Sequence, residues 1–297
     1  MPALFTHYKF GQDVYNNLNS KVKEDITFNM DYYNMFNQGF DNLFYYPIHW
    51  HYYKTFAIRA HKRKIPEFFT NMVNYIKDNN LEDDNDLTTM VYGFINHYTL
   101  DTIVHPFINY QVANLGIPHT KIEFTLDSQI ALNYDNSIYK TIIPRLKFSN
   151  NLINLIDYTF LKTHNEKNIG KIFNSSHNND YYVYRYFVND KNGNKMKFYR
   201  IVDRIIRLKD MRLQDNTFYV EYFDERILNK EKNTWHHPKD ENETYNYSYD
   251  ELYNISLRIC VKLNKIAYEV LHKNRNIDDL INNIKLINLK SIQELLG

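Results

Sequence analysis

The stretch Gly93-Phe94-Ile95-Asn96-His97-Tyr98-Thr99-Leu100-Asp101-Thr102-Ile103-Val104-His105-Pro106 decides how this chain is read. His97, Asp101 and His105 follow one another at steps of four. Such steps put side chains on one face of a helix, turning by about 40° each time. His119 and Glu123 repeat the step a little further on. Imidazole and carboxylate together suit zinc. Five candidate ligands between His97 and Glu123 point to more than one ion, and adjacent zinc ions usually mean phosphoester hydrolysis.

Helical signals continue on both sides of this stretch. Pro66 to Lys77 carries Phe68, Phe69, Met72, Val73 and Ile76 on one side. Asp86 is expected to cap a helix from Leu87 to about Val104, and Pro106 to end it at His105. Pro118 suits the first turn of a helix to about Asn133, which places His119 and Glu123 on its first two turns. Further helices are expected over Asn151–Thr163, Lys195–Lys209 and Thr217–Asn229. Asp180–Val188 is ambiguous between helix and strand. Glu231–Tyr247, polar and holding Pro238, reads as a loop. Ser248 and Glu251 form a capping-box pattern that opens a helix to about Lys273, and a short helical segment closes the chain. The sequence has no internal repeat. The expected fold is all-α, a single multi-helical domain over 1–297, with a metal-ligand part at about 1–135 and a C-terminal helical part at about 136–297.

Composition narrows the chemistry. The 297 residues carry a formal net charge of +1, so no strong field draws the chain to nucleic acid or anionic lipid. The single cysteine, Cys260, excludes internal disulfides and thiolate zinc clusters, and it reads as core. Met1 to Phe10 does not read as a signal peptide, and no long apolar run spans a membrane. The expectation is a soluble, cytoplasmic protein. A Gly-rich phosphate loop, a Gly-x-Ser-x-Gly elbow and a His-Glu-x-x-His motif are all missing from the sequence.

Several residues are candidates to complete the ligand set. Asp41 follows Gln38-Gly39-Phe40, where a glycine-containing turn can aim a carboxylate inward. His7 lies near the start. His49, His51 and His61 compete for one imidazole, and His61 also begins a basic run with Lys62, Arg63 and Lys64. His236 and His237 suit a site or a loop surface equally. His164, His177 and His272 have no companions and read as surface. Phe44, Tyr45, Tyr46 and Trp50 offer an apolar wall, although most such residues are core.

These residues resemble the zinc-dependent phospholipase C family in its broad bacterial form. The resemblance is carried by Thr6-His7-Tyr8-Lys9-Phe10-Gly11, Gln38-Gly39-Phe40-Asp41, Ala60-His61-Lys62, the His97–Asp101 stretch with His105-Pro106, and His119 with Glu123. Ligand-level detail covers about the first 130 residues, while Trp235 and Glu251-Leu252-Tyr253 match less specifically. The resemblance implies an all-helical fold of the phospholipase C/nuclease type with two to three zinc ions. Asp101 matches the bridging carboxylate and would share one zinc with Asp41, His61 and His97. His7 would bind a second zinc with Asp101, and His105, His119 and Glu123 would bind a third. There are two departures. Secreted relatives use a mature N-terminal amine and carbonyl as ligands, whereas here His7 lies close behind Met1. The Asp101–His105 spacing is also shorter than theirs.

The expected activity is zinc-dependent hydrolysis of a phosphoester, phospholipid included, with Asp41 able to accept the proton of the attacking water. Nucleotides and nucleic acid are the alternative substrates, since single-strand nucleases share the scaffold. A non-catalytic zinc-stabilised protein and a metal-free helical interaction module are the other readings. Substrate identity and oligomeric state are not legible in the sequence.

Overall fold

The computed structural model describes residues 4–131, 133, 139–188, 190, 192–206, 213, 217 and 223–290. These residues are mostly helical. The N-terminal half contains α1 (Leu4–Asn17), α2 (Ser20–Thr27), α3 (Met30–Phe36), a 3-10 segment (Gly39–Tyr45), α4 (Trp50–Ala60), α5 (Ile65–Asp78), α6 (Asn85–Leu115) and α7 (His119–Ala131). The rest contains α8 (Tyr139–Ile142), α9 (Asn150–His164), α10 (Ile169–Val183), α11 (Asn194–Ile206), α12 (Tyr249–His272) and α13 (Ile277–Leu286). A hairpin of β1 (Trp235–His237) and β2 (Asp240–Tyr245) precedes α12.

The middle of the bundle is α6. Every residue from Leu87 to His97 is buried, so this part of the helix has no solvent stripe and must be enclosed by others. Its neighbours include α1, α3, α7 and α12. Gly93 lets α3 cross closely: a Cβ there would stand 2.4 Å from the Phe36 Cβ. Beside it, the Asn96 amide donates to Tyr33 Oη at 2.7 Å and to Asn37 Oδ1 at 2.8 Å. The Asn96 carbonyl accepts from Asn264 Nδ2 at 2.8 Å and from the Cys260 thiol at 2.8 Å. This buried network joins α3, α6 and α12 and fixes the rotation of α6 next to His97. The apolar core runs continuously from Leu4 to Leu289, so the C-terminal helices share the core of the N-terminal ones.

Several expectations need correction. Helix α6 does not end at His105; it continues through Pro106 to Leu115. Proline biases the residue before it away from helix without forbidding it. Burial of Phe107, Ile108 and Gln111 beyond the proline outweighs that bias. The N-cap is Asp84, not Asp86: its side chain accepts from the Asp86 N–H. An acidic run offers several capping carboxylates, and backbone geometry selects one. Glu231–Tyr247 is not all loop, because Trp235 pairs with Tyr245 and His237 with Asp240. Pro238 and Lys239 form the turn, where a proline costs no ladder hydrogen bond. The buried Trp235 packs on Phe107 and Tyr245, which anchors this otherwise polar segment.

Within Thr217–Asn229, only a 3-10 turn at Glu225–Leu228 is helical among the described residues, and 218–222 lie outside them. Residues 207–209 of the expected Lys195–Lys209 helix lie outside them as well. Asp180–Val188 is helical, closing as a π-helical turn over Tyr184–Val188. His177 is fully buried rather than on the surface, and its Nε2–H donates to the Pro144 carbonyl at 2.6 Å. His164 packs edge-on against Phe56, and His272 pairs with Asp25 at 2.9 Å.

Candidate metal centre

All eight proposed ligands line a single cavity of about 790 Å³. The central element is α6, which presents His97, Asp101 and His105. α1 contributes His7, the 3-10 segment Asp41, the residue after α4 His61, and α7 both His119 and Glu123. His49 and His51 are exposed and lie off the cavity. Only His61 among the three competitors reaches it.

Two groups form around Asp101. In the first, donor atoms of His7, Asp41, His97 and Asp101 lie within 4.8 Å of one another. Asp101 stands 3.3 Å from His7 Nε2 and 3.5 Å from His97 Nε2. His61 Nε2 joins at 3.0 Å from Asp41 Oδ1, 3.0 Å from His97 Nε2 and 3.9 Å from Asp101 Oδ2. In the second group, Glu123 Oε1 lies 3.2 Å from His105 Nε2 and 2.9 Å from His119 Nε2. Ligands about 2.1 Å from a tetrahedral ion stand roughly 3.4 Å apart, close to these separations.

The tautomers sharpen this fit. His61 Nδ1 lies 2.7 Å from the Ala57 carbonyl, which can only accept, so Nδ1 carries the proton. His105 Nδ1 likewise faces the Asp101 carbonyl at 3.1 Å and its carboxylate at 3.3 Å. His119 Nδ1 faces Asn109 Oδ1 at 3.2 Å. All three Nε2 atoms therefore face carboxylate oxygens. Acceptor facing acceptor is repulsive unless a proton or a cation lies between them. Oxygen partners on Nδ1 also hold metal-binding imidazoles in orientation. Two further ring nitrogens, Nδ1 of His7 and of His97, are buried without a hydrogen-bond partner.

The electrostatics agree. Burial alone would lower the His105 pKa, but Asp101 and Glu123 outweigh it and raise it well above the ordinary value. Burial opposes ionisation of Asp101, yet His105, His97 and His7 hold it well below the usual carboxylate range. His97 is pushed down to about 4, chiefly by burial, so it is neutral and has a lone pair to give. A buried pocket that holds the Asp41, Asp101 and Glu123 carboxylates ionised against their desolvation is suited to a divalent cation.

Local structure explains the aim of each side chain. Gly39 has φ +50°, and a Cβ there would stand 2.1 Å from the His97 ring. Only glycine allows the turn that brings Asp41 in beside His97. Sequence reasoning missed two positioning residues. Asn109 extends the stripe one more step past His105 and holds His119. Asp127 extends the His119–Glu123 step, and its carboxylate accepts from the Phe5 and Thr6 N–H groups, both at 2.9 Å, and from the Thr6 hydroxyl at 2.6 Å. It thereby fixes the start of α1 and the position of His7. The same four-residue spacing was the signal that could have revealed both.

Of the expected apolar wall, Phe44 lines the cavity and is joined by Phe40 and Ile58. Tyr46 packs on Tyr53 instead, and the Trp50 indole donates to the Phe44 carbonyl. The Tyr45 side chain lies outside the described part. His237, Lys239 and Lys290 also line the cavity, as does Lys62, which follows α4. Lys290 is tied to Glu243 at 2.9 Å, whereas Lys62 and Lys239 have no ion-pair partner among the described residues. His236 packs edge-on against Tyr110. No family model matches the chain, and no curated protein or solved structure gives a significant match.

Proposed function

We propose that the chain is a zinc-dependent hydrolase of phosphoesters, phospholipase C-like in plan. The observation that carries this reading is the convergence of five imidazoles and three carboxylates on one open cavity. Asp41, His61, His97 and Asp101 would hold one ion, His7 and Asp101 a second, and His105, His119 and Glu123 a third. The last set has three protein ligands, and its imidazoles are about a third exposed, at 35% and 31%. Three ligands with an accessible fourth position is the pattern of a catalytic zinc. Bound zinc would supply Lewis acidity and a water acidic enough to ionise near neutral pH.

The chain's own residues have distinct tasks in this reading. Asp101, which lies near ligands of both groups, would serve ions on either side of it. Asp41 is buried and held ionised mainly by His61, and through a carboxylate oxygen not committed to zinc it would receive the proton of the attacking water. As the new P–O bond forms, the P–O bond to the leaving group breaks, and the leaving alkoxide takes up the proton that Asp41 received. Lys62 and Lys239 offer charge to the non-reacting phosphate oxygens, and Phe40, Phe44 and Ile58 offer apolar contact to the leaving group.

Metal analysis combined with a phosphodiesterase assay tests the proposal. Two or three zinc ions per chain and hydrolysis of bis-nitrophenyl phosphate or a phosphocholine ester are expected. His97→Ala and Asp101→Ala should each lower the rate by about 100-fold or more, because a displaced ligand loses the positioned charge. A single tightly held ion without hydrolysis would instead support a zinc-stabilised, non-catalytic protein. Lys62 and Lys239, without an ion-pair partner among the described residues, favour nucleotides or small phosphodiesters as the second reading of substrate, and activity confined to those would identify it.

A further inference from the structure

Helix α11 exposes the wrong face for a soluble bundle. Met196 and Asp203 point inward and are 4% and 7% exposed. Phe198, Ile201 and Ile205 are 61%, 57% and 75% exposed. At 100° per residue these three fall within an arc of about 60° opposite the inner face. Lys197, Arg200 and Arg204 lie along one flank of that arc, and Lys195 lies on the other. The helix has one carboxylate, and it is the buried Asp203. Just before it in the chain, Tyr182 and Tyr186 stack with 40% and 53% exposure, and the Arg185 guanidinium lies over the Tyr186 ring.

An apolar ridge between cationic flanks fits a surface that is apolar in depth and anionic at its edge. Aromatic and aliphatic side chains enter the acyl boundary, and lysine and arginine stems reach back to phosphate. A second copy of the chain fits less well, because two such faces would bring like charges together. No helix among the described residues is long and apolar enough to cross a membrane, so the geometry suits lying on the surface.

We propose that α11 docks the protein on an anionic lipid surface through Phe198, Ile201 and Ile205, with Lys197 and Arg204 contacting lipid phosphates. The near-zero net charge of the chain does not oppose this, because four of its 36 Lys and Arg residues flank this one ridge and the only carboxylate of the helix is buried.

Co-sedimentation of the full chain with vesicles tests it. Binding is expected to mixed phosphatidylglycerol–phosphatidylcholine vesicles, to be weaker on pure phosphatidylcholine and to fall with salt. The triple variant Phe198→Ser, Ile201→Ser, Ile205→Ser should weaken partitioning roughly tenfold or more. Lys197→Ala and Arg204→Ala should each weaken it by about fivefold. Three results would overturn the proposal. They are absence of wild-type binding, unchanged binding of the triple variant, and a triple variant that loses thermal stability or oligomeric state. The last would show the ridge to be covered by the chain itself or by a second copy. None of these measurements requires hydrolysis, so an inactive protein that binds vesicles would count only against the proposed activity.

Discussion

At the scale of single residues, His97 and His105 show how position on one helix sets opposite protonation. Both lie beside Asp101. His97 is 1% exposed, and desolvation dominates, so it stays neutral at pH 7. His105 sits between Asp101 and Glu123, and their combined charge raises its pKa well above the ordinary value. Zinc must therefore displace a proton from His105 but none from His97. Zinc affinity should rise with pH until His105 loses its proton. Calorimetry in two buffers of different ionisation enthalpy should report about one proton released per zinc at the His105 group near pH 7. A heat independent of buffer would contradict this. The His97–Asp101–His105 stripe was legible because helical spacing is a local property. The difference between the two histidines was not, since it depends on Glu123, which is local only after folding.

At the scale of elements, the site depends on how α1 begins. Asp127 on α7 takes the first N–H groups of α1, and burial raises its pKa to about 7 against three hydrogen bonds that lower it. Its unfolded value is about 4. A carboxyl whose pKa is raised by folding adds stability below the unfolded pKa and loses it as pH rises through the folded one. Stability of the metal-free wild type should thus fall between about pH 4 and pH 7 from this residue, by a few kcal/mol. Asp127→Asn should flatten that slope in urea unfolding, and an unchanged slope would assign it elsewhere. Strong local signals, such as the Ser248–Glu251 capping box, gave correct elements, with both bonds of the box formed. Pro106 misled because its bias is local and modest, while the packing of Phe107, Ile108 and Gln111 is tertiary. The hairpin was missed for a related reason: Trp235 and Tyr245 meet only through pairing, and their strands are too short to show a period.

For the whole molecule, the proposed ligands come from five separate segments: α1, the 3-10 segment, the end of α4, α6 and α7. Ions that bind this cluster would bind the folded chain alone and stabilise it. A hundredfold excess of free zinc over its Kd contributes about 2.7 kcal/mol for one ion. Chelator should therefore lower the melting temperature by roughly 5 °C or more. An unchanged melting temperature would favour the metal-free helical module. The sequence by itself determined the all-α class and the α6 stripe, because helical periodicity and i,i+4 spacing are written in consecutive residues. It also held the identity of every residue in the cluster. Only the tertiary structure decided that His61 rather than His49 or His51 reaches the cavity, that Asp127 and Asn109 aim the ligands, and that the hairpin contributes to the cavity lining. Those outcomes depend on which distant segments share the core, and one-dimensional spacing carries no record of packing between them.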